Sequence, residues 1–448
     1  MQLHTSKKTV DLNFPLLVKT LQPAAHAPYA PPHVFPMSAP TFSKAVQAPR
    51  PKILGLTGVY IHIPFCRYAC NFCFYVKQIG ATRAKMENYV QALKREIEDH
   101  LPIDTLLNQV FIGGGTPTAL PPDLLDEVLT AIFSRTDRSQ ESSHTVECSP
   151  ETLTDEHINI FKKHGIHRVS MGIQTFQDKV LDNVHRRHSG EQALLACKKL
   201  TSSGLMVNID LIYGLPGQTH EDFRNDFELL AQLKVNCVNA YSLRVNESTP
   251  VLAVLEQQER LELEQLLKWR AFVERTAVEL GYEQRHWQRF MLPSTNFELN
   301  LTSNNLIGFG ASARSFIDNT VYRNHPQIKE YMSRAENHIS AVEEIFELGV
   351  EHQKTYFITR SLGAGKPLNY KEYHQSFDRI FKEDYEDVCQ RLLKADLIFE
   401  NNNTLEMTDA GKLVYDLVTL AFYPPQLQKW LEQKHAEALV RRQPINKK

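Results

Sequence analysis

The chain has 448 residues, 42% of them hydrophobic and 23% charged, with a net charge of −2 and a pI near 6.8. This is an ordinary globular composition, long enough for two to three domains, and it argues against a general electrostatic grip on nucleic acid or an anionic membrane. No apolar run approaches the roughly 18–20 residues that span a bilayer, no secretory leader is evident, and seven cysteines, an odd number, fit a reducing cytoplasm better than a disulfide framework. The expectation is a cytoplasmic protein with no nucleic-acid or membrane partner.

Residues 1–50 hold eight prolines, including those of Ala30-Pro-Pro-His33 and Phe35-Pro-Met37. Proline removes backbone donors and disfavours helix, so this reads as an extended arm with one short helix near Val10–Leu21. Tyr29, Val34, Phe35 and Met37 are apolar enough to pack. From residue 51 to 335, short apolar runs alternate with helical patterns. The runs are Val59–Pro64, Gln109–Gly114, His144–Ser149, Arg168–Ile173, Val207–Gly214 and Cys237–Val245. The helical patterns are Lys85–Asp99, Pro122–Phe133, Asp155–His164, Gly190–Ser203 and Glu221–Leu233. Such alternation implies an α/β fold with a parallel sheet. Six units give an open (β/α)6 partial barrel, whose chemistry belongs at the C-terminal strand ends. A charged helix over Leu255–Leu280, a strand over Tyr282–Phe290 and the run Asn305–Ser312 complete or cap it. Residues 336–425 read as a mostly helical, winged-helix-like domain, with helices Glu343–Arg360, Tyr370–Phe377 and Glu383–Ala395. A ribbon from Leu397 to Met407 follows, and Thr408 caps a last helix. Residues 426–448 form a basic tail, six Lys and Arg against two Glu.

Three cysteines, Cys66, Cys70 and Cys73, follow the first run at spacing C-x3-C-x2-C. An iron–sulfur cube is normally held by four thiolates, so three leave one iron open to a small molecule. A zinc site would favour paired knuckles or histidine partners. Gly113-Gly-Gly115-Thr-Pro-Thr118 ends the second run, where glycines let backbone approach a ligand. Glu147, Gln174 and Asp210 end or lie in successive runs, and Arg186 sits in the cluster His185-Arg-Arg-His188. A carboxylate in an apolar strand is costly to bury without a partner or ligand.

These phrases resemble the radical S-adenosylmethionine (SAM) superfamily, and within it the oxygen-independent coproporphyrinogen III oxidase-like group. The quoted stretches are Tyr60-Ile-His-Ile-Pro-Phe-Cys66, the triple-glycine loop, Ser170-Met-Gly-Ile-Gln174 and Asp210-Leu-Ile-Tyr-Gly-Leu-Pro-Gly-Gln-Thr219. The resemblance implies a [4Fe–4S] cluster on Cys66, Cys70 and Cys73, and two SAM molecules. Tyr60, Gly114 and Glu147 would hold the first; Phe72, Gly115, Thr116, Gln174, Arg186 and Asp210 the second. Family contacts near Leu243–Arg244 and Ala313–Arg314 align loosely.

Departures narrow the reading. Cys73 is followed by Phe74-Tyr75, where the heme-chaperone branch has Asp-Phe, and Tyr75 stands where the oxidase branch has a fourth cysteine. With the proline-rich arm, these features look like the heme-utilisation branch, the anaerobic heme-degrading radical SAM methyltransferases or anaerobilin synthases. That resemblance implies heme as substrate, with one SAM giving a 5′-deoxyadenosyl radical and the other a carbon unit. The ring opens without oxygen to a linear tetrapyrrole, iron is released, and reduced flavodoxin or a similar donor supplies electrons. A heme chaperone without turnover and a coproporphyrinogen oxidase-type enzyme are the alternatives. His286 and Arg289 lead the candidate substrate residues, ahead of His185, His188, Trp287, Arg244, Arg285 and Arg314.

Overall fold

The computed structural model describes residues 1–21, 43–44, 55–244, 250–251, 263–295 and 305–429. The arm residues Tyr29, Val34, Phe35 and Met37, the first turns of the helix expected from Leu255, and most of the basic tail lie outside them. The chain forms two compact units. One comprises Thr41–Tyr241 and Met291–Glu347; the other comprises Met1–Pro40, Ser242–Phe290 and Leu348–Lys448.

The first unit follows the strand–helix alternation. Its elements are β1 (Thr57–Ile63), α1 (Arg83–His100), β2 (Thr105–Gly114), α2 (Pro122–Phe133), β3 (Thr136–Cys148), α3 (Asp155–Lys163), β4 (Arg168–Gln174), α4 (Gly190–Thr201), β5 (Met206–Tyr213), α5 (His220–Gln232) and β6 (Cys237–Ser242). Thr82, Thr154, Ser189 and Thr219 each cap the helix that follows with a side-chain oxygen, which is the local reason those helices start where they do. Val59, Ile61, Val110, Ile112, Val146, Val169 and Ile209 are buried, as expected for parallel strands covered on both faces. β1 to β5 pair parallel in chain order, and β6 lies beside β5. The C-terminal ends of β1 to β5 therefore open on the same side.

The run at Asn305 does more than cap. β7 (Asn305–Phe309) pairs parallel with the free side of β1, Gly308 opposite Tyr60. β8 (Arg314–Ile317), β9 (Thr320–Asn324) and β10 (Val342–Glu347) extend the sheet antiparallel. Close approach fixes Gly308: a Cβ there would stand 2.3 Å from the Arg314 carbonyl oxygen. Gly308→Ala is expected to destabilise the protein by about 1–3 kcal/mol through overpacking against backbone that cannot yield, read as a lowered urea midpoint.

β10 corrects one expectation. Residues 343–347, expected in a helix, form a strand, with Ile345 opposite Tyr322 and Phe346 opposite Val321. Glu343 and Glu344 fit that strand because Arg334 and Arg323 pair with them at 2.8 and 3.0 Å. The helix begins only at Val350, after Gly349. A helix over Ile328–Glu336, not anticipated, delivers the Tyr331 hydroxyl to buried Glu96 at 2.6 Å.

The second unit cuts across the segments expected from sequence. Met1–Leu21 is a hairpin, Gln2–His4 against Thr9–Asp11, followed by a helix over Phe14–Leu21. Pro15 falls in that helix's first turn, where a missing N–H costs nothing. This piece joins the C-terminal part through Lys8–Asp409 at 3.3 Å and Ser6–Glu274 at 3.1 Å. The helix Leu263–Glu279 belongs here too, because Arg270 donates to both Asp416 oxygens at 2.8 and 2.7 Å. The expected strand Tyr282–Phe290 is two short strands, Glu283–His286 and Arg289–Met291. The C-terminal part contains helices Val350–Ser361, Tyr370–Phe377 and Glu386–Lys394, and a small antiparallel sheet of Leu368–Asn369, Thr404–Met407 and Ile398–Asn401. Thr408 caps the next helix as expected, accepting from the Gly411 N–H at 3.0 Å.

Candidate active site

The C-terminal ends of β1 to β5 surround a cavity of about 800 Å³, open solvent included. Cys66, Cys70, Phe72, Cys73, Gly114, Gly115, Thr116, Glu147, Gln174, Arg186 and Asp210 all line it. Of the residues singled out for cluster and SAM, Tyr60 alone is absent from that wall. Its hydroxyl is hydrogen-bonded to His62 Nδ1 at 3.0 Å.

The triple-glycine loop works differently from a cradle of free N–H groups. The Gly115 N–H donates to Ile63 O and the Thr116 N–H to Phe65 O, both at 2.8 Å. The Gly114 N–H donates to Glu147 Oε2 at 3.3 Å. These bonds fasten the loop to the segment that enters the cysteine motif. A Cβ at Gly115 would lie 2.7 Å from Phe65 O and 3.0 Å from Cys66 Sγ, so glycine is there to let two backbones touch.

Glu147 and Asp210 stand in different environments. Asp210 accepts from Ser170 Oγ at 3.0 Å and from the Asn208 and Asn239 amides at 2.9 Å each. Glu147 has the single Gly114 donor, and burial, then the Asp210 charge, push its carboxyl up to about 8. Glu147 is thus a carboxyl that keeps its proton near neutrality, able to donate as well as accept. Gln174 ends β4 in the left-handed region at φ 76°, a strained conformation for a side chain and one that clusters at functional sites. Buried Asp226 stabilises the turn after it, accepting from Thr175 Oγ1 at 2.6 Å, Phe176 N at 2.9 Å and Gln177 Nε2 at 2.9 Å.

The cysteine chemistry fits an iron–sulfur cluster. Burial pushes the Cys66 thiol up to about 11 and raises that of Cys70, where Arg186 opposes it. Cys66 and Cys70, in a wall that disfavours their free thiolates, gain most from a polynuclear cationic centre. Among the described residues no three His, Cys, Asp or Glu side chains close on a single ion.

Sequence reasoning passed over His62. Its ring is buried, accepts or donates at Tyr60 through Nδ1, and meets Val76 O through Nε2 at 3.0 Å. It therefore ties β1 to the far end of the cysteine loop. The signal was present in Tyr60-Ile-His62, where alternate residues share one strand face. Burial lowers this imidazole to about 4. The unfolded chain binds the proton near 6.5 and the folded protein only near 4, so its stabilising contribution is present above pH 6.5 and is lost as pH falls towards 4. His62→Gln is expected to remove about 2 kcal/mol of the stability difference between pH 7 and pH 5, measured as the change in urea unfolding between the two. An unchanged difference would contradict the assignment.

His286 and Arg289 lie in short strands of the other unit. Trp287, expected to line a porphyrin pocket, instead donates to Leu362 O at 3.1 Å and stacks on Tyr415 at 5.4 Å between centroids, so packing accounts for it. Arg285 pairs with Glu283 at 2.7 Å, and His185 is exposed. Arg314 is lowered to about 10 by burial and by Arg323.

Residues 60–230 match the radical SAM superfamily. Over most of its length the chain is also similar to HemW and HemN proteins. It is 28% identical over 362 residues to the heme chaperone HemW of Lactococcus lactis, covering 79% of this chain and 93% of that one. It is likewise 28% identical to HemW of Bacillus subtilis, covering 82% and 99%. Identity to the oxygen-independent coproporphyrinogen III oxidase of Salmonella typhimurium is 24%, covering 81% and 84%. The solved structure of coproporphyrinogen III oxidase (HemN) from Escherichia coli superposes with a TM-score of 0.72 at 23% identity, covering 82% of this chain and 90% of that one. It establishes the α/β fold, a central parallel sheet with helices and a helical C-terminal part. The family implies a [4Fe–4S] cluster and SAM. Among the described residues no helix is long and apolar enough to cross a membrane.

Proposed function

We propose that this protein acts on heme, using its radical SAM site to open the macrocycle to a linear tetrapyrrole and release iron, with two SAM molecules as radical source and carbon donor. The observation that carries this reading is the single cavity lined by Cys66, Cys70 and Cys73 together with Gln174, Arg186 and Asp210. The groups ascribed to a second SAM stand beside the cysteines ascribed to the first. Phe74 and Tyr75, stacked at 4.8 Å and exposed next to Cys73, support a substrate other than that of the oxidases.

Cys66, Cys70 and Cys73 would hold the cluster, whose chemistry when bound would be the one-electron reduction that cleaves SAM. The chain's own residues set the stage. Asp210, fixed by three donors, accepts from a ligand hydroxyl or amine. Glu147 holds or gives a proton at the cavity wall. Gln174 offers an amide that reads a carboxylate or an adenine edge, and Phe72 gives a ring against an apolar or aromatic portion. A reduced flavodoxin-like protein is the electron donor in this reading.

The relatives favour a second reading, a heme chaperone that keeps the cluster and lacks turnover, since the HemW proteins align over nearly their whole length. One anaerobic assay separates the readings. Reconstituted protein, dithionite, SAM and heme are mixed, and the Soret band and 5′-deoxyadenosine are followed. Loss of the Soret band with deoxyadenosine formed supports heme opening. Heme retained with no nucleoside supports the chaperone, and deoxyadenosine formed beside intact heme points to a different substrate.

A further inference from the structure

A second line of polar groups runs behind the cysteine loop. Asn71, between two of the cysteines, donates its backbone N–H to Val184 O at 3.2 Å. Two residues on, Arg186 Nη1 lies 3.4 Å from Cys70 Sγ, while Nη2 donates to Gly172 O. Two residues further, the fully buried His188 side chain puts Nδ1 3.4 Å from Glu151 Oε2. Ser149 Oγ donates to the other oxygen of Glu151 at 2.7 Å. The 183–188 segment is thus tied to the cysteine loop through the Asn71 N–H, and on its other side the buried His188 ring packs against Glu151 of the loop after β3 without a hydrogen bond between them.

We propose that Glu151 and His188 are positioning residues that hold the Arg186 guanidinium against the Cys70 sulfur, so that Arg186 sets the reduction potential of a cluster bound there. This goes beyond ligand binding by Arg186, and it rests on the cluster reading. One-electron reduction adds negative charge to the cluster and its thiolates. A cation hydrogen-bonded to one sulfur in a partly buried wall stabilises that charge and makes reduction easier. The neighbouring cation is not arranged this way: Lys77 Nζ turns to the Cys73 carbonyl at 2.8 Å. The Arg186 Nε is buried without a hydrogen-bond partner, so the side chain's recorded bonds are those of Nη1 to the Cys70 sulfur and Nη2 to Gly172 O.

Glu151 makes the idea testable by sign. As a mere negative charge it would hinder reduction, so its removal would raise the midpoint. As a positioning residue its removal frees Arg186 and lowers the midpoint. The experiment is a potentiometric titration of the reconstituted cluster with dithionite, followed by electron paramagnetic resonance, without SAM. Arg186→Gln is expected to make reduction about tenfold less favourable, a shift of ~59 mV to more negative potential for one electron. Glu151→Gln shifts it the same way, and this shift disappears in the Arg186→Gln background. If Arg186→Gln holds no cluster, Arg186→Lys, which keeps charge but loses the fork, gives the test and falls between wild type and the expected value. A midpoint unchanged by both arginine variants, or raised by Glu151→Gln, overturns the inference. A wild-type chain that takes up no cluster overturns the cluster reading instead.

Discussion

Cys70→Ala is expected to leave the protein folded and without its cluster. Iron and sulfide content after anaerobic reconstitution should fall to background, and 5′-deoxyadenosine formation should drop more than a hundredfold, beyond the roughly 10–100-fold typical of groups that only support a metal ligand. The argument is local. Cys70 is half-buried on the cavity wall, and the loop around it is fixed by bonds that do not involve its sulfur. These include Asn71 N to Val184 O at 3.2 Å and Gln78 N to Pro64 O at 2.6 Å. Loss of the thiol therefore removes a ligand without removing the scaffold. An unchanged far-UV circular dichroism spectrum beside a lost visible chromophore is the expected pair of results. Full iron content in the variant would refute the assignment of Cys70 as a ligand.

Asp416→Ala is expected to cost about 3–5 kcal/mol of stability, the usual effect of breaking a buried ion pair. Both partners are buried, with side chains 8% and 3% exposed. Arg270 has further contacts, to Leu413 O at 2.7 Å and to the Tyr415 ring, whose centre lies 5.0 Å away. Without Asp416 that buried guanidinium loses its two-oxygen carboxylate partner. The Asp416 carboxyl is held below the usual carboxylate range by Arg270, against the opposing effect of burial. The pair's contribution is therefore present above about pH 4 and lost as pH falls further. Equilibrium unfolding at pH 7 measures the effect, and a loss under about 1 kcal/mol would contradict the account.

The parallel sheet was legible because buried parallel strands are nearly continuous apolar runs. Val59–Pro64 and Arg168–Ile173 fall within a residue or two of β1 and β4. Helix Pro122–Phe133 is matched to the residue, since prolines at its start leave little freedom. The candidate site was legible for a related reason: chemistry-bearing residues sit at strand ends, and strand ends were readable. What sequence hid was long-range. Nothing in Val342–Glu347 announces a strand until Arg323 and Arg334 are brought beside its glutamates. The grouping of Met1–Leu21 with the C-terminal part depends on contacts such as Lys8–Asp409, which span most of the chain. The roles of His62 and Asp226 in bracing the site, and of the glycine loop in fastening the cysteine segment, are matters of register and angle that spacing alone does not carry.

The central claim is chemical, that carbon from SAM enters a heme ring which then opens. Mass spectrometry of the tetrapyrrole products, formed anaerobically with methyl-labelled SAM and heme, tests it most directly. The account predicts an iron-free linear tetrapyrrole carrying one labelled carbon. Heme recovered intact and unlabelled, from protein that holds its cluster, would contradict it.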